Sequence, residues 1–315
     1  MGTFAGSIAC VDRAAQNTTV AAFGSAWTRM KRLAVIVSAI FGAILVALPL
    51  TAANAAPRRI VSLNLCADQY LIVLADKEQI AALTNFARDP GLSYLSEAAK
   101  AYPYTTGAAE AIVAKKPDLI IGNPYGRAEV AALLKQFSYE TVDVPPALTF
   151  EDIVAQTRHI AALIGHPERG EALVARMRAE LALIPPPPPG RHPIAVHYQR
   201  RGFVTGTETL LNEMMTRVGL ENLAGRIGDK SLAHVSLESI VVADPDYLIF
   251  TTGLADVRDQ GLELLTHPVL ARQFGHGRIL TVPENLTVCG GPFYPVAVAT
   301  LARQLREASP AKPTP

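Results

Sequence analysis

The stretch that decides the fold is written twice. Glu110–Ile121 reads EAIVAKKPDLII, and Glu238–Ile249, 128 residues further on, reads ESIVVADPDYLI. In each copy a glutamate stands seven residues before a Pro-Asp pair, Pro117-Asp118 or Pro245-Asp246, which runs into a short apolar segment. Proline removes a backbone donor and clashes with the preceding helical turn, so each copy predicts a helix that stops and a buried strand that follows. One helix-strand unit used twice implies two α/β lobes of like construction. A cleft between such lobes is a usual place for a ligand.

Outward from the first copy, Arg59–Leu63 reads as a β-rich strand and Ala67–Leu74 as a helix, which makes Asn64-Leu65-Cys66 a strand-to-helix turn. Ile80–Leu83 is a second strand, residues 85–104 a loop-rich excursion, Glu129–Phe137 a helix and Glu140–Val144 a further strand. Outward from the second copy, Pro193–Tyr198 is a strand, 200–206 a loop or hairpin, and Thr207–Val218 a helix ended by Gly219. Arg278–Val282 is the last strand and Pro295–Glu307 the closing helix. Between the halves, Thr149 caps a helix with Ile153, Ile160, Leu163 and Ile164 on one face, and Glu168–Ile184 forms a second helix of roughly 25 Å. The reading is α/β: two Rossmann-like lobes with mostly parallel sheets, 56–148 and 191–307, joined through 149–190 by a long rigid helix that permits only modest closure, with 308–315 a disordered tail.

Ahead of the lobes, Met30-Lys31-Arg32 opens a charge-free run from Leu33 to Leu48, and Ala53-Asn54-Ala55 offers the small-x-small pattern of a signal peptidase site. Residues 1–55 are therefore expected to be non-mature, with Met30 the true start, cleavage after Ala55 and a periplasmic address; a retained membrane anchor is the alternative. The 315 residues, 50% hydrophobic and 18% charged, suffice for two ordinary domains. Without the first 55, 25 basic residues face 27 acidic ones, which gives no reason to expect nucleic acid. Trp27 and Cys10 leave with that segment, so the remainder has no tryptophan and only Cys66 and Cys289.

No G-x-S-x-G, H-E-x-x-H, P-loop or C-x-x-C pattern occurs, and the seven histidines are scattered. No enzymatic activity, cofactor or resident metal is expected; the rival reading is a secreted enzyme using the cleft, with Asp68, His197 or His234 as acid or base. Glu110 and Glu238 are the sharpest feature. One glutamate at a helix start is accounted for by the helix dipole, about 0.3–1 kcal/mol. Two in equivalent places would lie at the lobe tips on one face, set to meet two like-placed cations of a symmetric partner.

The succession of an export segment, the strand RIVSL at 59–63, the unit E-x6-P-D-L-I-I, a long linking helix and L-E-S-I-V-x3-P-D resembles the periplasmic binding proteins of ABC importers for ferric siderophores, haem and cobalamin, over essentially all of 57–307. The resemblance implies the helical-backbone fold of that family and a monomeric receptor that captures a metal chelate between its lobes. It also implies delivery to an ABC permease dimer in the inner membrane, with Glu110 and Glu238 engaging permease arginines. The family's cleft is lined by the loops after the strands, which nominates Asn64, Cys66, Arg88, Tyr125, Arg127, Tyr198, Arg200, Arg201, Thr251 and Tyr294 as ligand-binding residues, with Tyr94 a further aromatic candidate. The arginines suit an anionic chelate. Cobalamin binders of the family present tryptophans that this chain lacks, so a ferric siderophore is expected ahead of cobalamin, and haem third. Cys66 and Cys289, in strand-to-helix turns of different lobes, are read as a bridge that limits lobe separation if their Cα atoms approach to roughly 6 Å, or as two free thiols, or as a thiolate ligand to a metal centre. A sensory or adaptor protein docking its lobe tips to a non-transport partner is the remaining alternative.

Overall fold

Two parallel sheets carry the molecule, and each contains one copy of the duplicated unit. The computed structural model describes residues 56–122, 128–187, 189–228, 230–252, 265–275 and 277–308; the expected export segment, Tyr125, Arg127 and residues 309–315 lie outside the described residues. The first sheet and its helices run β1 (Ile60–Ser62), α1 (Leu65–Leu74), β2 (Ile80–Thr84), α2 (Ser96–Ala99), β3 (Tyr104–Thr105), α3 (Ala109–Val113), β4 (Leu119–Gly122), α4 (Ala128–Gln136) and β5 (Thr141–Asp143). Its strand order is β3-β2-β1-β4-β5, all parallel. Then come α5 (Phe150–Leu163) and α6 (Pro167–Ala182). The second half runs β6 (Ile194–His197), β7 (Phe203–Thr205), α7 (Leu210–Arg217), β8 (Glu221–Asn222), α8 (Ala224–Ile227), β9 (Leu232–His234), α9 (Leu237–Ala243), β10 (Tyr247–Thr252), α10 (Pro268–Phe274), β11 (Ile279–Pro283) and α11 (Tyr294–Glu307). Its main sheet is parallel, ordered β11-β10-β6-β8. The segment read as a loop or hairpin at 200–206 turns at Arg200–Gly202 and folds back as β7, with an antiparallel bridge between Tyr198 and Val204, and β7 then also pairs antiparallel with the distant β9.

The apolar runs have no polar alternation because both faces of these strands are buried. Alternate residues go to different layers: Ile60, Leu119, Ile121, Ala195, Tyr247 and Ile249 join the central core, whereas Val61 and Ile120 face an outer layer of the first sheet, and Ile194, Val196 and Leu248 an outer layer of the second. The central core is common to both lobes and to α5, α6 and α11, so the lobes form one compact unit.

The Pro-Asp pairs have a structural task. Asp118 accepts the backbone N–H groups of Arg58 (2.7 Å) and Arg59 (2.9 Å) at the start of β1, and Asp246 accepts that of Ile194 (2.8 Å) at the start of β6. In both copies the residue before the proline is left-handed: Lys116 at φ 48° and Asp244 at φ 41°.

The connection between lobes is a pair of helices. Thr149 caps α5 through the backbone N–H of Asp152, whose carboxylate returns to the Thr149 N–H. Arg158 grips Glu171 with two hydrogen bonds, 2.7 and 3.0 Å, between α5 and α6. Gly170 lets the helices meet, since a Cβ there would stand 2.6 Å from the Ala161 Cβ.

Candidate functional site

In parallel sheets the loops that follow the strands gather at one edge, and ligands bind outside that edge. Here the loops after β1, β2 and β11 meet at a seam between the lobes. Cys66 and Cys289 are joined by a disulfide, with Cα atoms 5.2 Å apart. Beside it, the Asn285 amide donates to the Pro90 carbonyl (2.9 Å), the Tyr70 hydroxyl to the Gly290 carbonyl (3.4 Å), and the Tyr94 and Phe293 rings lie 4.5 Å apart.

The first turn of α1 anchors the seam on the side of the first sheet. Asn64, its N-cap, accepts from the N–H groups of Cys66 (2.7 Å) and Ala67 (3.3 Å) and donates to the carbonyls of Gly122 (3.1 Å) and Val144 (3.3 Å). Asp68 takes the backbone N–H and hydroxyl of Thr84 at the end of β2. One turn therefore ties together the ends of β4, β5 and β2.

Three of the ligand candidates are used internally. Asn64 is buried with its amide committed to the cap. Tyr198 is 0% exposed, its hydroxyl directed to the Val235 carbonyl (3.4 Å). Tyr294 is 2% exposed, its ring stacked 5.5 Å from that of Phe150. A large ring directly after a buried strand, or at the head of a helix covering the core, continues the core inward. Phe86 and Tyr94, by contrast, are 52% and 43% exposed, on the excursion after β2. Phe86 was missed in the sequence, although it stands between Asn85 and Arg88 in a loop that a parallel sheet sends to its ligand edge.

Arg88 donates to the Tyr102 carbonyl (2.6 Å) and lies 4.4 Å over the Tyr104 ring. Arg200 and Arg201 form the turn after β6, with Arg201 exposed and left-handed at φ 60°. Thr251 lies in β10, half-buried opposite Val282 of β11. Glu284, after β11, was also missed. Burial raises its pKa; Arg200 opposes the rise and Asp89 of the first lobe adds to it. Burial pushes the Asp68 carboxyl from 3.8 up to about 6 against its hydrogen bonds with Thr84 and Ser62, and pushes His197 from 6.5 down to about 4. The His197 Nδ1 meets the Thr205 hydroxyl at 2.6 Å, and its Nε2 has no hydrogen-bond partner among the described residues.

Glu110 and Glu238 are exposed and occupy the second position of α3 and α9. Since α3 starts just beyond the end of β3 and α9 ends just before β10 begins, each glutamate lies toward the strand-end edge of its own sheet. The Glu238 carboxyl is held below the usual range by its backbone N–H and the Ser236 hydroxyl, with His267 contributing. Two surface cavities of about 370 and 380 Å³ lie along Pro185–Pro187 and α11; neither is lined by a loop that follows a strand of either main sheet. Among the described residues no group of three or more His, Cys, Asp and Glu is placed to hold a metal ion, and no helix is long and apolar enough to cross a membrane.

Paired parallel sheets, a helical connection and strand-end loops that meet at their seam describe an α/β protein of two lobes. The chain belongs to the periplasmic binding protein family, whose model matches residues 60–273. It is similar to a cobalamin-binding protein of Halobacterium salinarum, 26% identical over 218 residues, covering 67% of this chain and 58% of the relative's length. Among solved structures it is similar to the periplasmic heme-binding protein RhuT from Roseiflexus sp. RS-1 in apo form: 26% identity, TM-score 0.64, covering 78% of this chain and 97% of that one. A periplasmic binding protein from Veillonella parvula shares the fold at 18% identity and TM-score 0.65, covering 80% of this chain and 92% of the other. The cobalamin-binding and heme-binding relatives fit the branch of the family that serves iron complexes, haem and cobalamin. Members bind ligands rather than catalyse, and membership implies an extracytoplasmic location.

Proposed function

We propose that this protein is an exported receptor that captures a metal chelate at the interlobe seam and delivers it to an ABC permease. The observation that carries the reading is the convergence of the loops after β1, β2 and β11 on one seam, tied by the Cys66–Cys289 bridge. The ligand is a planar tetrapyrrole chelate, haem or cobalamin, placed ahead of the ferric siderophore that the arginines suggested. Two things support the change of order: Phe86 and Tyr94 offer exposed aromatic surface suited to a flat macrocycle, and Arg88 is already engaged by Tyr102 and Tyr104. The names of the cobalamin-binding and heme-binding relatives point the same way. Glu110 and Glu238 dock the permease, the segment from Met30 to Ala55 directs export, and the receptor acts as a monomer without covalent chemistry. Of the candidates for acid or base, Asp68 and His197 are buried and His234 is exposed on β9.

Titration with hemin, cyanocobalamin and a panel of ferric siderophores tests the ligand. One tetrapyrrole should bind with a dissociation constant below about 1 μM, and Phe86→Ala with Tyr94→Ala should weaken it about tenfold. Binding of a siderophore alone, or of none, refutes the assignment. For delivery, Glu110→Ala with Glu238→Ala should abolish uptake while leaving affinity unchanged; undiminished uptake removes the docking role.

A further inference from the structure

The disulfide joins the only two cysteines outside the first 55 residues, 223 positions apart, and it crosses from one lobe to the other. A covalent link restrains two bodies only if each end is stiffly held, and both ends are. Cys66 lies in the α1 turn whose neighbours Asn64 and Asp68 are fastened to the ends of β4, β5 and β2. Cys289 lies between the short helical turn after β11 and α11, where the N–H groups of Thr287 and Val288 both reach the Glu284 carbonyl and that of Tyr294 reaches Gly291. The next residue, Gly290, is wedged so closely that a Cβ would stand 2.7 Å from the Ala147 Cβ and 3.0 Å from the Leu210 side chain. The remaining polar contacts described at the seam are slight: one amide-carbonyl bond at 2.9 Å and one hydroxyl-carbonyl bond at 3.4 Å.

We propose that the Cys66–Cys289 bridge is a redox-sensitive tether that fixes the separation of the lobes at the ligand edge, and that its reduction by a dithiol loosens the seam and weakens capture. The chemistry is thiol-disulfide exchange. A thiolate of the dithiol attacks one sulfur and expels the other as thiolate; the second thiol of the reductant then attacks the mixed disulfide, releases the remaining cysteine and closes the reductant into its own disulfide. Two electrons pass to the protein, and Cys66 and Cys289 each take up a proton.

Hydrogen exchange of the ligand-free protein tests the tether without any assumption about the ligand. In Cys66→Ser with Cys289→Ser, exchange across 85–95 and 284–293 should rise at least about fivefold, while the α5–α6 pair keeps its protection. Should that variant fail to fold, the folded wild-type protein is reduced with dithiothreitol and capped with iodoacetamide. Asn285→Ala should have little effect in the oxidised protein and a larger one in the reduced protein, because only there does the seam depend on that bond. The ligand arm rests on the proposed function: dissociation of hemin or cyanocobalamin, whichever binds, should accelerate at least about fivefold on reduction. Equal exchange at the seam in both redox states overturns the tether, as does an unchanged dissociation rate of a bound probe. If neither probe binds either form, the capture reading fails and the exchange result alone decides the tether.

Discussion

The two copies of the duplicated unit do the same backbone task in different surroundings. In the first, Asp118 is exposed and holds two N–H groups at the start of β1; in the second, Asp246 is 3% exposed and holds one, at the start of β6, with Arg191 at 3.4 Å. The left-handed residue before the proline also differs. The Asp244 side chain accepts from Gln273 (2.8 Å) and pairs with Arg278 (3.4 Å), whereas Lys116 is an exposed residue whose backbone carbonyl accepts from Arg59 (3.1 Å). Duplication thus preserves what the backbone needs, while the energetic weight of each residue follows its burial.

The contrast extends to a fully buried carboxyl of the first lobe, Asp68, and a buried imidazole of the second, His197. With a folded pKa raised to about 6, Asp68 adds stability at low pH that is lost as pH rises from about 4 to 6. With a folded pKa lowered to about 4, His197 adds stability above about 6.5 that is lost as pH falls to about 4. At about 1.4 kcal/mol per pKa unit, each effect is on the order of 3 kcal/mol. The two slopes oppose each other, and their sum is small between about pH 4 and 6. Relative to the wild type, urea unfolding across that range should therefore show stability rising more steeply with pH in Asp68→Asn, and falling more steeply with pH in His197→Gln. A profile for Asp68→Asn that matches the wild type would show that the two buried groups do not offset one another.

The aspartate pair gives the next largest difference. Asp246→Ala leaves the buried Ile194 N–H without its acceptor and should cost about 2–3 kcal/mol, while at Asp118 water can replace the lost carboxylate and the cost should be about 1 kcal/mol. Denaturation midpoints of the two variants, compared at one pH, measure the ratio. Equal losses would mean that burial does not set the weight of this motif.

The sheets were legible because Leu119–Ile121 and Tyr247–Ile249 are uninterrupted apolar runs behind a Pro-Asp stop, short enough for strands, and the fold buries them on both faces. The pairing of β7 with β9 was not legible, since Phe203–Thr205 and Leu232–His234 are short and 26 residues intervene. At the site, strand ends identified the correct loops but not the side chains within them. Asn64, Tyr198 and Tyr294 belong to those loops and turn inward, because helix capping and core packing claim them. Phe86 and Tyr94 stay outside, and no local pattern separates an aromatic that continues the core from one that leaves it.

The smallest predicted effect has opposite signs in the two copies, which makes it the sharpest test of the comparison. A non-glycine residue in the left-handed region costs about 1–2 kcal/mol relative to its right-handed alternative, and glycine largely relieves that cost while adding entropy to the unfolded chain. Lys116→Gly surrenders no described side-chain contact, so a net gain of about 0.5 kcal/mol is expected. Asp244→Gly gains the same relief but forfeits the bond from Gln273 and the pairing with Arg278, whose side chain is only 12% exposed, so a net loss of about 0.5–1 kcal/mol is expected. Thermal midpoints of the two variants should therefore move in opposite directions. If both rise, the Asp244 contacts contribute nothing to stability and the copies are energetically equivalent at this position; if both fall, the left-handed backbone at Lys116 carries no strain for glycine to relieve.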